Sequence, residues 1–119
     1  PCLKKDYTMQ TKAILAQADV INVLDAAQKE ADSNNWPVTI AVTDDGGHLL
    51  GLRRLDGAAP FSADVATQKA RSAALGRKET QVFGVPITVD GHVVGAVGIS
   101  GVKPDQDVQV AKAGVSAIG

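Results

Sequence analysis

Two stretches of this chain repeat one pattern. Thr43-Asp44-Asp45-Gly46-Gly47-His48-Leu49-Leu50-Gly51 and Thr88-Val89-Asp90-Gly91-His92-Val93-Val94-Gly95 each pass through an Asp/Gly turn into a histidine, two aliphatics and a glycine. Asp-Gly supplies the positive φ angles that a tight hairpin turn demands. Before the first turn, Val38, Ile40 and Val42 alternate onto one face of a strand, and His48 to Leu55 returns from it. Gly84 to Val89 and His92 to Ser100 flank the second turn. Connections this short cannot make the crossover that a parallel pair needs, so both pairs are expected to be antiparallel hairpins in one sheet.

The segments between and around the hairpins have helical spacing. Over Thr11 to Asn34, residues Ala13, Ala16, Val20, Val23, Leu24, Ala27 and Ala31 form one stripe, and Asn34, Asn35 and Pro37 stop it. A second helix is expected from Ser62, as its cap, to about Leu75, with Gly76 ending it. Its stripe of Ala63, Ala66, Ala70, Ala73 and Ala74 is flat enough for close packing on a sheet or another helix. A third runs from Asp105 to Ile118 through Val108, Ala111 and Val115, with Asp105 and Asp107 where the helix dipole favours carboxylates. The order helix, hairpin, helix, hairpin, helix gives an α/β (α+β) fold: an antiparallel sheet built from two hairpins, its helices covering one or both faces.

Composition narrows the function. The 119 residues suit one domain. Aromatics are 3% of the chain, so small aliphatics must fill the core and no stacking platform for single-stranded nucleic acid is available. The formal net charge of -1 argues against nucleic acid and anionic membranes as partners. The single cysteine, Cys2, allows no intrachain disulfide and suits a reducing, cytoplasmic setting. No apolar run approaches the roughly 20 residues of a membrane span, and Pro1 to Thr8 lacks the apolar centre of a signal peptide. The domain is therefore read as residues 9–119, with 1–8 as a leader or tag-like extension; Met9 is either the natural start or part of an ordinary ragged N-terminus.

No catalytic constellation can be assigned. His48 and His92 occupy equivalent places after the turns, which favours a structural role over haem or metal ligation, and no zinc spacing accompanies them. Asp44-Asp45-Gly46-Gly47 lacks the spacing and distal glutamate of a calcium loop. Gly95, Gly98 and Gly101 lie in and after a strand and form no dinucleotide fingerprint; they fit close backbone approach or a bulge. Neither Ser62 nor Ser100 sits in a nucleophile elbow. The strongest ligand-binding candidates are Arg54, Asp56 and Lys69, with Gly84 and Pro86 as a side-chain-poor approach. Loops leaving the first hairpin and entering the second would bring two cations and one carboxylate to a rim of the sheet, suited to a small anion. The competing reading is that Asp56 neutralises Arg54 or Lys69, or that Lys69 runs its stem along apolar surface to a salt bridge.

The segments Thr39 to Leu50, Arg54-Leu55-Asp56-Gly57-Ala58, Lys69 to Ala74, Gly84-Val85-Pro86-Ile87 and Gly95 to Gly101 together resemble the GlcG-like family, also called the haem-degrading domain. The likeness covers nearly the whole chain from Met9. It implies a profilin-like domain, homo-oligomers and, for some members, haem as a bound cofactor. One departure stands out: family members usually carry an extra stretch between the helix of Lys69-Ala70-Arg71 and the strand of Gly84-Val85-Pro86, where this chain runs from Gly76 to Phe83 straight into Gly84. Three functions compete: haem binding or handling, a role toward a small organic acid or diol-pathway intermediate, and a non-catalytic assembly module.

Overall fold

The computed structural model describes residues 8–79 and 84–118. The expectations for Cys2 and most of the leader, and for the junction through residues 80–83, lie outside them.

The order is α1 (Gln17–Ser33), β1 (Thr39–Asp44), β2 (Leu49–Arg54), α2 (Ser62–Gly76), β3 (Val85–Val89), β4 (His92–Ser100) and α3 (Pro104–Val115). The strands form one antiparallel sheet in the order β2-β1-β4-β3, so each hairpin supplies one central and one edge strand. Asp90 and Gly91 both take positive φ, 51° and 79°, the backbone of a two-residue hairpin turn. In the first turn, the Asp44 carboxylate accepts from the N–H groups of Gly46 and His48 at 2.9 Å each.

Helices cover both faces of the sheet. On one face, α1 and α3 pack Val23, Leu24, Ala27, Val110 and Ala111 onto Ile40, Val42, Val97 and Ile99, all buried. Burying a valine or isoleucine side chain is worth roughly 1.5–3 kcal/mol, so this aliphatic layer dominates the stability. On the other face the apolar contacts of α2 with β1 and β4 are made by alanines: Ala66 and Ala70 meet Ala41, while Ala73 and Ala74 meet Ala96. The approach is close because Gly98 lies beneath: a Cβ there would strike the Ala66 carbonyl oxygen and stand 2.5 Å from the Ala70 nitrogen.

Four helix boundaries differ from the periodicity, one of them the end of α3, which stops at Val115 rather than Ile118. The first helix starts at Gln17 rather than Thr11 because Asp19 accepts from the Ala16 N–H at 2.8 Å and fixes the first turn there. Ser62 is not the cap of α2, since Phe61 precedes it in that place. The Ser62 hydroxyl is buried, donates to the Ala59 carbonyl at 2.5 Å and shares a hydrogen bond of 2.7 Å with Thr39. Gly76 is the last helical residue, and it is Arg77 that turns left-handed, at φ 58° and ψ 26°.

Candidate functional site

The five sequence candidates fall at opposite edges of the sheet. Arg54 ends β2, opposite Thr39, which in turn faces Ser100. Two strand spacings, about 10 Å, therefore separate the backbones of Arg54 and Ser100. The Arg54 Nε donates to the Ala58 carbonyl at 3.2 Å, which orients the guanidinium over the loop. Asp56 follows in that loop and lines a cleft of about 590 Å³ with Gln28, Asp32, Trp36 and Leu55.

Lys69, Gly84 and Pro86 gather at the β3 edge. The Lys69 ammonium donates to an Asp107 carboxylate oxygen at 2.7 Å and to the Ile99 carbonyl at 2.9 Å. β3 begins opposite Val97, two residues short of Ile99, so the side chain serves a stretch of β4 that β3 does not reach. The second Asp107 oxygen accepts from the Val102 N–H at 3.3 Å. Both side chains are largely buried, at 16% and 7% exposure. Burial pushes the Asp107 carboxyl above its ordinary value, while the Lys69 ammonium and the Val102 N–H oppose that rise. The Gly84 N–H donates to the Lys69 carbonyl at 3.0 Å, and a Cβ on Gly84 would strike the Val97 carbonyl oxygen. Pro86, on the edge strand, faces Ala96. The structure thus brings Lys69 and Gly84 together, leaves Arg54 and Asp56 at the other edge, and engages the Lys69 charge internally.

The two faces of β2 differ. Leu49, Leu52 and Arg54 pair with Thr43, Ala41 and Thr39, the residues on the α2 side of β1, and all three are exposed. On the α1 side, Gly51 lies against Val20 and Leu24, and Arg53 Nη1 donates to Asp25 at 2.7 Å and Gln28 at 3.0 Å. An irregularity between Val42 and Thr43 leaves Leu50 out of register. It lines a groove of about 290 Å³ with Leu15, Ile21 and Leu24.

The far end of the sheet carries both hairpin turns, because Asp44 faces Gly95 in the central pair. Lys12 forms an ion pair with Asp45, whose carboxyl it holds below the ordinary value. Arg77 Nη1 donates to the Asp45 carbonyl at 3.1 Å. His48 lies 3.4 Å from Asp44, with its ring 77% exposed. Sequence reasoning passed over Lys12, Arg77 and the Asp107 partnership, since none lies in a local motif. Among the described residues, no cluster of three or more His, Cys, Asp or Glu side chains could hold a metal ion. No described helix is long and apolar enough to cross a membrane.

The family model for the haem degrading protein HbpS-like family matches residues 15–116. The protein GlcG of Escherichia coli strain K12 is 45% identical over 114 positions, covering 77% of this chain and 85% of its own. Those aligned positions outnumber the residues this chain contributes, so GlcG carries residues that this chain lacks. A double mutant of HbpS from Streptomyces reticuli superposes with a TM-score of 0.87 at 26% identity, covering 100% of this chain and 97% of its own. PduOC, solved as a haem complex, shares the fold at a TM-score of 0.84 and 22% identity, over 90% of this chain and 96% of its own. With its fold, its motifs and a family match over most of its length in agreement, the chain belongs to the GlcG-like, HbpS-like family.

Proposed function

We propose that this protein binds a small carboxylate-bearing ligand on the open α2 side of β2, and that haem is that ligand. The observation that carries the reading is the alignment of exposed Leu49 and Leu52 with Arg54 on one face of an edge strand. A flat apolar ring needs apolar surface, and its carboxylates need a cation; arginine offers a fork that matches carboxylate geometry. The residues fit haem at that level: Leu49 and Leu52 would hold the ring and Arg54 a propionate. They offer an open surface with no buried axial side chain, so the reading is of binding or handling, and no catalytic role is assigned. Support for haem comes from the family's description as haem degrading and from the haem complex of the same-fold PduOC. Asp56 would border this site, while Lys69, Gly84 and Pro86 would hold the opposite edge in shape. A single cysteine, which allows no intrachain disulfide, supports a reducing, cytoplasmic setting for this reading.

A haem titration followed by absorption tests it. A Soret band that saturates at a fixed ratio per subunit is expected. If haem gives no saturable band while small organic acids raise the melting temperature, the ligand is an organic acid instead. If neither acts, ligand binding is wrong.

A second reading, self-association, is favoured by a different observation. β2 is an edge strand, and its α1 side opens on the groove beside Ile21 and Leu50, both 44% exposed. An apolar edge of this kind is a template for pairing with another copy. Light scattering at micromolar concentration that gives only a monomer mass would refute it.

A further inference from the structure

The end of the sheet that carries both hairpin turns lies opposite the end where Arg54 supplies the cation of the face just described. We propose that it is a separate binding site for a small oxyanion, a phosphate or carboxylate group on a small molecule. A cleft of about 460 Å³ opens there, lined by Lys12, Arg77, Thr88, Gly91, His92 and Val93. Three parts of the chain converge on it: the segment before α1, the residue that caps α2, and the β3–β4 hairpin. Their polar side chains are rich in donors. A guanidinium carries five N–H groups, an ammonium three, an imidazole at least one, and Thr88 adds a hydroxyl.

Of the two cations lining the cleft, Lys12 is paired with Asp45, and Arg77, among the described residues, forms no ion pair and is the group that would hold an incoming anion. The Asp45 carboxylate is bonded to Lys12 and does not line the cleft. Asp90 lies on the adjoining turn and is exposed. Among the described residues, the Arg77 guanidinium donates once, from Nη1 to the Asp45 carbonyl, which fixes the fork in place and leaves further N–H groups for a ligand. Sequence placement points the same way. Arg77 is in the left-handed region, a conformation that ordinarily goes to glycine or asparagine. Gly76, one position earlier, lies inside the helix at a place where a Cβ would meet nothing within 4 Å. The chain therefore sets arginine, not the adjacent glycine, at the strained position, and strain of this kind gathers at ligand sites. The arrangement selects oxyanions because every lining side chain with a polar group can donate, and the one neighbouring carboxylate on the Lys12 side is already paired.

The test is a titration of the isotopically labelled protein with inorganic phosphate, and separately with succinate, followed by amide and imidazole chemical shifts at constant ionic strength. Saturable shifts confined to Lys12, Arg77, Gly91 and His92 are expected with at least one probe, and chloride should not reproduce them. Arg77→Asn removes the cation and keeps a residue suited to left-handed backbone, so the fold should persist while affinity falls about tenfold or more. His92→Gln should weaken binding with no loss of melting temperature. Arg54→Met, at the opposite end, should leave these shifts unchanged, which separates this site from the ligand face on β2. The proposal is overturned if neither probe saturates, if chloride matches them, or if Arg77→Asn binds as tightly as the parent.

Discussion

Lys69 and Asp107, 38 positions apart in sequence, meet at 2.7 Å and tie the helix on one face of the sheet to the helix on the other. The bond passes beside the end of β4, where Lys69 also holds the Ile99 carbonyl. Lys69→Met keeps the stem and strands a buried carboxylate, so it should cost about 3 kcal/mol in thermal or urea unfolding. Pairing it with Asp107→Leu should recover much of that loss, because two well-packed apolar groups replace a buried pair at little cost. If Lys69→Met alone leaves the melting temperature unchanged, the pair is not a clamp.

Asp107 also sets a pH dependence. Its carboxyl is raised by burial, so the folded state keeps the proton to higher pH than the unfolded chain does. Stability from this group is then fully present below the unfolded value, and falls as pH rises toward the folded one. Asp107→Asn should flatten that fall. Melting temperatures of parent and variant between about pH 3 and about pH 6 check it, and parallel curves would contradict the sign.

On the ligand face, Arg54→Met should lower haem affinity about tenfold or more, the worth of one shielded charge-assisted hydrogen bond. Its side chain is exposed, so melting should shift by no more than about 0.5 kcal/mol equivalent. Leu52→Ser should weaken haem without weakening phosphate. Equal loss of both would merge the two sites.

Glycines of α2 and its seat make a contrasting pair. Gly98→Ala drives a methyl into the backbone of Ala66 and Ala70 and should destabilise by about 1–3 kcal/mol or more, as α2 lifts from the sheet. Gly76→Ala enters open space within a helix and should stabilise by about 0.5–1 kcal/mol. Urea midpoints of the two variants should move in opposite directions.

What could be read in the sequence was local. Asp90-Gly91 announces its hairpin because the turn itself requires those residues, and alternation at Val38, Ile40 and Val42 announces the buried face beside it. The start of α1 was not readable from periodicity, since Ala13 and Ala16 keep the spacing but lie exposed before Gln17, while the Asp19 cap fixes the boundary. Asp107 could be read as a dipole partner of its own helix, yet its stronger partner comes from another layer. The same holds at the candidate site. Arg54 and Lys69 are both near family motifs, but only strand order shows that they lie toward opposite edges. A residue's neighbours across layers depend on topology, which no window of the sequence contains.

The central pair of the sheet carries a temporal consequence. β1 lies between β2 and β4, and β4 is made last of all the strands. During synthesis, α1 and the first hairpin emerge with Ile40 and Val42 still lacking the Val97 and Ile99 that cover them in the finished core. An isolated two-stranded hairpin is marginal at best in water. The nascent chain must therefore wait, with its apolar layer open, until β4 has left the ribosome. Closure joins strands far apart in sequence, which slows folding relative to a helical bundle of this size. The interval before β4 arrives is when this protein is most exposed to aggregation and to chaperones.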